Sequence, residues 1–539
     1  MGETPTPENY CMLQGFEWNV PADQKHWTRL HNVLGELKNI GIDNVWLPPA
    51  CKGAGGKEAN GYDIYDLYDI GEFEQKNSKS TKWGTREELD TLVGKAEELG
   101  VGLYFDAVLN HKAGADNKEK CRIIEVDQNG MVSLIPKIYV NGMSPHHERF
   151  TNYESLPDRT KEIGEPREME AWLGFDFPGR GDKYSSQKYH WEHFSGTDYD
   201  AGNDKTGIYR ILGDNKHWSN SVGDESGNAD FLMFADVDYS HPEVISDVIH
   251  WGEWVVKEFK LRGFRFDACQ HFSERFTNEF VANLEKHFGK GKLFLVGEFW
   301  VGNVDELLEY LDEMDHKFSL YDTPLLNNFS QISKTENGDL RKVFDKSLVQ
   351  AKPDSAVTVV MNHDTQPGQT VATPIEGFFK PLAYALILLR NQGYPCVFYG
   401  DLYGMKGENP EPPSCGDKLA HLILARKLFA YGEQNDYFDD EPTCLGFVRR
   451  GTHDRKDGLA VVLSNAGPGQ KRMFVGEEHK GEVWTDILGW QTDEVKIEDD
   501  GFGVFMCSGT SVSVWVKKDS ELRRQIDELN FDSDIYSKA

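Results

Sequence analysis

Eight short apolar runs, each composed like a buried strand, recur along the sequence, and most are followed by a stretch of helical spacing. They begin at Tyr10, Asn44, Val101, Gly263, Leu293, Phe318, Ala356 and Tyr394. Between them, His26 to Gly41 carries Leu30, Val33, Leu34, Leu37 and Ile40 on one helical face. Thr85 and Glu88 have the spacing of a capping box. Ser273 and Asn303 each stand where a new helical pattern begins. Eight such strand–helix units predict an α/β chain closed into a (β/α)8 TIM barrel.

The rhythm breaks once. From Lys112 to about Gly227 the chain is polar, with scattered Gly, Asp, Tyr and Trp and little helical period. That stretch is too long for a loop. It reads as an irregular β-rich domain inserted after strand 3. From about Cys444 the helical pattern ends. Short alternating runs at Gly458 to Leu463, Arg472 to Val475 and Ser511 to Val516 predict a C-terminal antiparallel β-sandwich. The expected division is 1–111 and 228–440 for the barrel, 112–227 for the insert, 441–517 for the sandwich and 518–539 for a tail. In the tail Leu522, Ile526 and Leu529 fall at helical spacing.

Charge narrows the partners. Asp and Glu number 89 against 58 Lys and Arg, a net −31, which disfavours nucleic acid and anionic membranes. The longest apolar stretch, around Leu382 to Leu389, stops at Arg390, short of a membrane span. The glycine-rich loop Lys52 to Gly61 lacks the Lys-Ser/Thr ending of a phosphate-binding loop. The polar start and eight cysteines without C-x-x-C spacing predict a reduced, cytoplasmic protein.

In a barrel of this kind, working residues sit at the C-terminal ends of the strands. Those ends carry Asp106, Asn110 and His111 after the third strand, and Arg265, Asp267 and His271 after the fourth. The fifth ends at Glu298, and the seventh at His363 and Asp364. Asp267, Glu298 and Asp364 thus converge from three strands. Crowded carboxylates push their pKa values apart, separating a nucleophile from a proton donor, as retaining glycoside hydrolysis requires.

Four segments, Asp106 to His111, Gly263 to His271, Gly297 to Trp300 and Asn362 to Asp364, resemble the signature regions of the alpha-amylase family, glycoside hydrolase family 13. Further shared stretches are Gln14 to Trp18, Gly61 to Asp69, Phe175 to Gly181 and Asn362 to Gly368. They point to the bacterial liquefying and intracellular fungal types. The resemblance implies endo-acting retaining hydrolysis of α-1,4-glucosidic bonds in starch, glycogen or maltooligosaccharides. The alternative is a 4-α-glucanotransferase that passes the sugar to another glucan. It implies Asp267 as nucleophile, Glu298 as acid and base, and Asp364 as holder of the distorted sugar. Arg265 would keep Asp267 ionised. His111, His363, Tyr62, Gln14, Trp18 and Gln270 would line the substrate cleft.

The resemblance also implies Ca²⁺ bound by Asn110, Asp198, Asp230, Asp236 and the carbonyl of His271. The liquefying type adds a second Ca²⁺ and Na⁺, with Asp176 and Asp238 among their ligands. Two positions depart from the family pattern. Gln270 stands where many members have Lys, and Met361 where the residue is commonly acidic. The expected partner is an α-glucan, with no nucleic acid and no membrane, and the expected state is a monomer.

Overall fold

The computed structural model describes residues 6–127, 160–223, 228–439 and 441–539. Parts of the predicted insert, 128–159 and 224–227, lie outside these residues. Eight parallel strands close into a barrel: Met12–Gln14, Asn44–Trp46, Gly102–Ala107, Gly263–Phe266, Phe294–Gly297, Ser319–Tyr321, Ala356–Val359 and Tyr394–Phe398. The first and last pair, Met12 beside Cys396 and Gln14 beside Phe398, and complete the ring. All eight predicted strands are present. Their near-continuous burial is what a sheet covered on both faces requires.

The helices follow the expected signals. Thr85 accepts from the Glu88 amide and Glu88 answers at the Thr85 amide, closing the capping box of Arg86–Leu99. Ser273 caps Glu274–Phe288, and Asn303 caps Val304–Glu313. One predicted strand is cut short. Phe318 to Leu325 is strand only to Tyr321, because the Asp322 carboxylate accepts from the Leu325 amide. With Pro324 in the first turn, that starts the helix Thr323–Lys334.

The insert forms a six-stranded sheet that is stitched into the barrel at both ends. Its edge pair is His111–Lys112 with Ala235–Val237, so Asp236 lies opposite His111. The sheet therefore reaches beyond the expected limits of 112–227. The C-terminal sandwich has a six-stranded sheet faced by the pair Gly469–Phe474 and Phe502–Cys507. Its first strand, Gln434–Tyr437, starts before the expected boundary and pairs with Cys444–Arg449. The tail is docked, not frayed. After the helix Glu521–Asp527 it returns to the barrel, where Ile526 and Ile535 are buried in the main core.

Candidate active site

The fourth strand ends at Phe266, and a single left-handed residue, Ala268 at φ 45°, turns the chain sharply there. A non-glycine residue costs about 1–2 kcal/mol in that conformation. The turn lifts Asp267 off the strand into the barrel mouth and aims the Ala268 amide at Glu298 Oε2 (3.3 Å). The Cys269 amide and the Glu298 carbonyl (3.0 Å) lock the turn to the fifth strand end.

Arg265 is fully buried at the centre of the mouth. Its Nη1 donates to Asp106 Oδ1 (2.7 Å) and Asp267 Oδ1 (2.8 Å), and its Nη2 donates to Glu298. One guanidinium thus stands between the two carboxyl groups expected to do chemistry. Burial pushes the Glu298 carboxyl up to about 7. Arg265 opposes that shift, and the charges of Asp267 and Asp364 add to it. At neutral pH a large share of Glu298 therefore carries its proton. Asp364 is also buried at this mouth, fixed by the Asn362 side chain, which accepts from its amide (3.0 Å).

The sequence assigns no role to Asp106 or Trp46, and the structure gives them one. Asp106 Oδ2 accepts from the Trp46 indole (2.9 Å) and the Tyr62 hydroxyl (2.9 Å), while Oδ1 holds Arg265. It is a buried anchor that orients both the arginine and the tyrosine. Its place at the end of the third strand was the available signal.

Tyr62, His363 and Trp18 form a stack of near-parallel rings. Tyr62 and His363 centroids are 5.0 Å apart at 10°, and Trp18 lies 6.0 Å from each at 7° and 13°. Tyr62 and Trp18 are half-buried, whereas His363 and Gln14 are covered. Gln14 Nε2 donates to His363 Nδ1 (3.0 Å), which leaves the proton on Nε2, facing Asp364 Oδ2 at 3.4 Å. This imidazole, expected to meet a sugar hydroxyl, is buried beside Asp364. His111 is covered as well: its Nε2 donates to the Tyr62 carbonyl (2.8 Å), holding the tyrosine loop. Gln270 is buried beyond the turn, where its carbonyl accepts from the Gly223 amide (3.0 Å).

The residues expected to hold a cation lie on the segments where the insert joins the barrel. With Nε2 of His111 protonated, Nδ1 accepts from the Asn110 amide nitrogen (3.3 Å), so Asn110 Oδ1 turns the other way. That oxygen is buried with no hydrogen-bond partner. Such an atom costs about 1–3 kcal/mol if left unpaired. The Val237 amide donates to the Asn110 carbonyl (3.0 Å), which brings Asp236 alongside. Asp198 accepts from the Phe234 amide (2.8 Å), and desolvation pushes its carboxyl up to about 6. His271 reaches the same segment through Nδ1 and the Ala229 carbonyl (2.6 Å), next to Asp230. A buried amide oxygen left in this way is a hard donor of the kind Ca²⁺ takes.

Asp238 does not fit a further cation. Asp238 Oδ2 accepts from Lys216 Nζ (2.8 Å), and its Oδ1 from the Ser240 amide (2.9 Å) and hydroxyl. Burial opposes ionisation there, yet Lys216 and Ser240 hold the carboxyl below its ordinary range. An ammonium already compensates the charge. Asp176 is exposed and engaged by Asn117. His193, His241 and Glu243 cluster within 4.8 Å, but His193 Nδ1 accepts the His190 amide (2.9 Å). Its Nε2 must then carry the proton it offers Glu243 (3.1 Å), so the trio is a hydrogen-bonded group and not a metal centre.

Residues 27–457 match the family described as alpha amylase, catalytic domain, and residues 459–516 the alpha-amylase C-terminal family. The chain is 41% identical over 513 residues to glucan 1,4-alpha-maltohexaosidase of Bacillus sp. (strain 707), covering 95% of this chain and 93% of that protein. It is 40% identical to the alpha-amylase of Bacillus licheniformis, with 95% and 94% covered. It is 38% identical to the cytoplasmic alpha-amylase of Escherichia coli (strain K12), with 94% and 99% covered. Among solved structures, an Anoxybacillus alpha-amylase superposes with a TM-score of 0.59 at 16% identity over 95% of this chain and 97% of that one.

Proposed function

The chain belongs to the alpha-amylase family of glycoside hydrolases, and from that premise we propose that it cleaves internal α-1,4-glucosidic bonds with retention of configuration. Glu298 gives its proton to the glycosidic oxygen as the bond to C1 breaks. Asp267 attacks C1 from the other face and forms a glycosyl ester. Glu298, now a carboxylate, takes a proton from water, which attacks C1 and releases Asp267. Arg265 keeps Asp267 ionised, and its link to Asp106 fixes where that charge sits. Trp18 and Tyr62 offer the open ring faces to sugar, while His363, Gln14 and His111 hold those rings in place. Asp364 holds hydroxyls of the distorted unit, and Gln270 borders the leaving-group side.

The observation that carries this reading is the buried Arg265 joined to Asp106, Asp267 and Glu298, with Glu298 raised to about 7. It supplies a charged nucleophile and a protonated acid at the same pH. One Ca²⁺, held by Asn110 Oδ1, Asp198, Asp230, Asp236 and the His271 carbonyl, would pin the insert to the barrel. The substrate is an α-glucan. A cytoplasmic, monomeric enzyme is consistent with eight free, buried cysteines and with the Escherichia coli relative's name. No helix among the described residues is long and apolar enough to cross a membrane.

The products formed from maltoheptaose test the reading. Shorter maltooligosaccharides released from the start, as α-anomers, are expected. Products longer than the substrate dominating at early times would favour the glucanotransferase.

A further inference from the structure

The tail lies beyond both matched family segments, yet its last turn packs against the helix His26–Ile40 and the segment after the last barrel strand. Ile535 is fully buried in the barrel core. Phe531 packs on Tyr403, with ring centroids 5.6 Å apart. The Asp532 amide donates to Glu36 (3.0 Å), which ties the segment to the helix His26–Ile40. The Tyr536 ring lies between two cations, the Arg29 guanidinium at 5.1 Å and the Lys406 ammonium at 4.6 Å. Placed over a ring face, each attracts it.

Lys406 leads inward. Its backbone amide donates to Glu17 Oε1 (3.2 Å). Its neighbour Gly407, at φ 87°, packs so tightly on Asn19 that a Cβ there would lie 2.6 Å from the asparagine side chain. Glu17 is fully buried, and its Oε2 accepts from Gln366 Nε2 (3.0 Å) and the Asn19 amide (2.7 Å). Gln366 Oε1 in turn accepts from the Trp18 amide (3.0 Å). Unbroken contacts therefore run from Tyr536 through Lys406, Glu17 and Gln366 to the backbone of Trp18, whose ring stacks on Tyr62 and His363.

We propose that the C-terminal tail clamps the Lys406 loop onto Glu17 and thereby positions Trp18, so that Tyr536 is a positioning residue for glucan binding. The proposal rests on Trp18 being part of the sugar platform. The contacts traced from the tail lead to Trp18, so its loss acts on binding before chemistry. The orientation of the platform then depends on a segment far away in sequence.

The test uses the full chain and maltoheptaose. Tyr536→Ala is expected to raise KM about five-fold, with kcat changed by less than about two-fold. Tyr536→Phe keeps the ring and is expected to match the parent. Lys406→Met, which removes one cation and spares the amide to Glu17, is expected to shift KM in the same direction by less, and it decides the matter if Tyr536→Ala does not fold. An unchanged KM in these variants, while Trp18→Ala raises it, overturns the clamp. An unchanged KM in Trp18→Ala overturns the platform beneath it instead. A fall in kcat at constant KM in Tyr536→Ala also overturns the clamp.

Discussion

The mouth of the barrel and the seam between barrel and insert both gather carboxylates, and they neutralise them by different means. At the mouth, Asp106, Asp267 and Glu298 share Arg265, a cation built into the chain and fully buried. At the seam, Lys216 serves Asp238. Among the described residues, by contrast, backbone amides oppose the upward shift of Asp198, and Asn110 Oδ1 has no hydrogen-bond partner. A covalently supplied cation fixes geometry whatever the solution contains. A seam that relies on a dissolved ion makes its stability follow the concentration of that ion. With the proposed Ca²⁺ at the seam, the chemistry would be buffered from the medium and the docking of the insert would follow it.

The sharpest way to break the comparison is at the mouth. Asp267→Asn is expected to lower kcat by about 10⁴-fold or more while maltooligosaccharide binding, read by calorimetry, persists. Retained turnover would remove Asp267 from its role. At the seam, Lys216→Met strands the buried Asp238 carboxylate, and urea unfolding should show a loss of about 3–5 kcal/mol. Chelation should cost about 3 kcal/mol relative to calcium at 100 times its Kd, seen as a lower Tm. Asn110→Ala should erase most of that difference, and a chelator that leaves the parent's Tm unchanged would dismiss the ion.

Two smaller effects are read by pH. Glu298 must be protonated to act as the acid, so kcat/KM is expected to fall as pH rises through about 7. A flat profile from pH 6 to 8 would deny it that role. Asp198, raised from 3.8 to about 6, favours the folded chain in its protonated form. Its contribution is complete below about pH 3.8 and is lost as pH rises through about 6. In chelator the parent's Tm should therefore decline over that window more than the Tm of Asp198→Asn. Excess calcium should remove the difference.

The barrel was legible because its strands are apolar runs closed by recognisable caps, and the mouth because its acids stand at strand ends. What escaped depended on contacts between distant segments. Phe318 to Leu325 looks like one strand until Asp322 captures the Leu325 amide. Lys216 sits in a polar stretch with no period, so nothing in the sequence pairs it with Asp238. The bonds of His363 to Gln14 and of His111 to the Tyr62 carbonyl likewise join segments far apart in sequence. The sandwich began early because Gln434–Tyr437 carries no apolar alternation of its own and is a strand through its partner.

Ala268 sets a term on how this site can drift under mutation. Its left-handed backbone is strained, and glycine would relieve about 1–2 kcal/mol of that strain. Glycine would also loosen the unfolded chain by roughly 0.4–1 kcal/mol. The second offsets only part of the first, so selection on folding alone gives no reason to keep a Cβ here. The effect of a glycine would fall on the stiffness of the turn that presents Asp267. Selection for activity, not for stability, is therefore the force that can hold a residue with a Cβ at this turn.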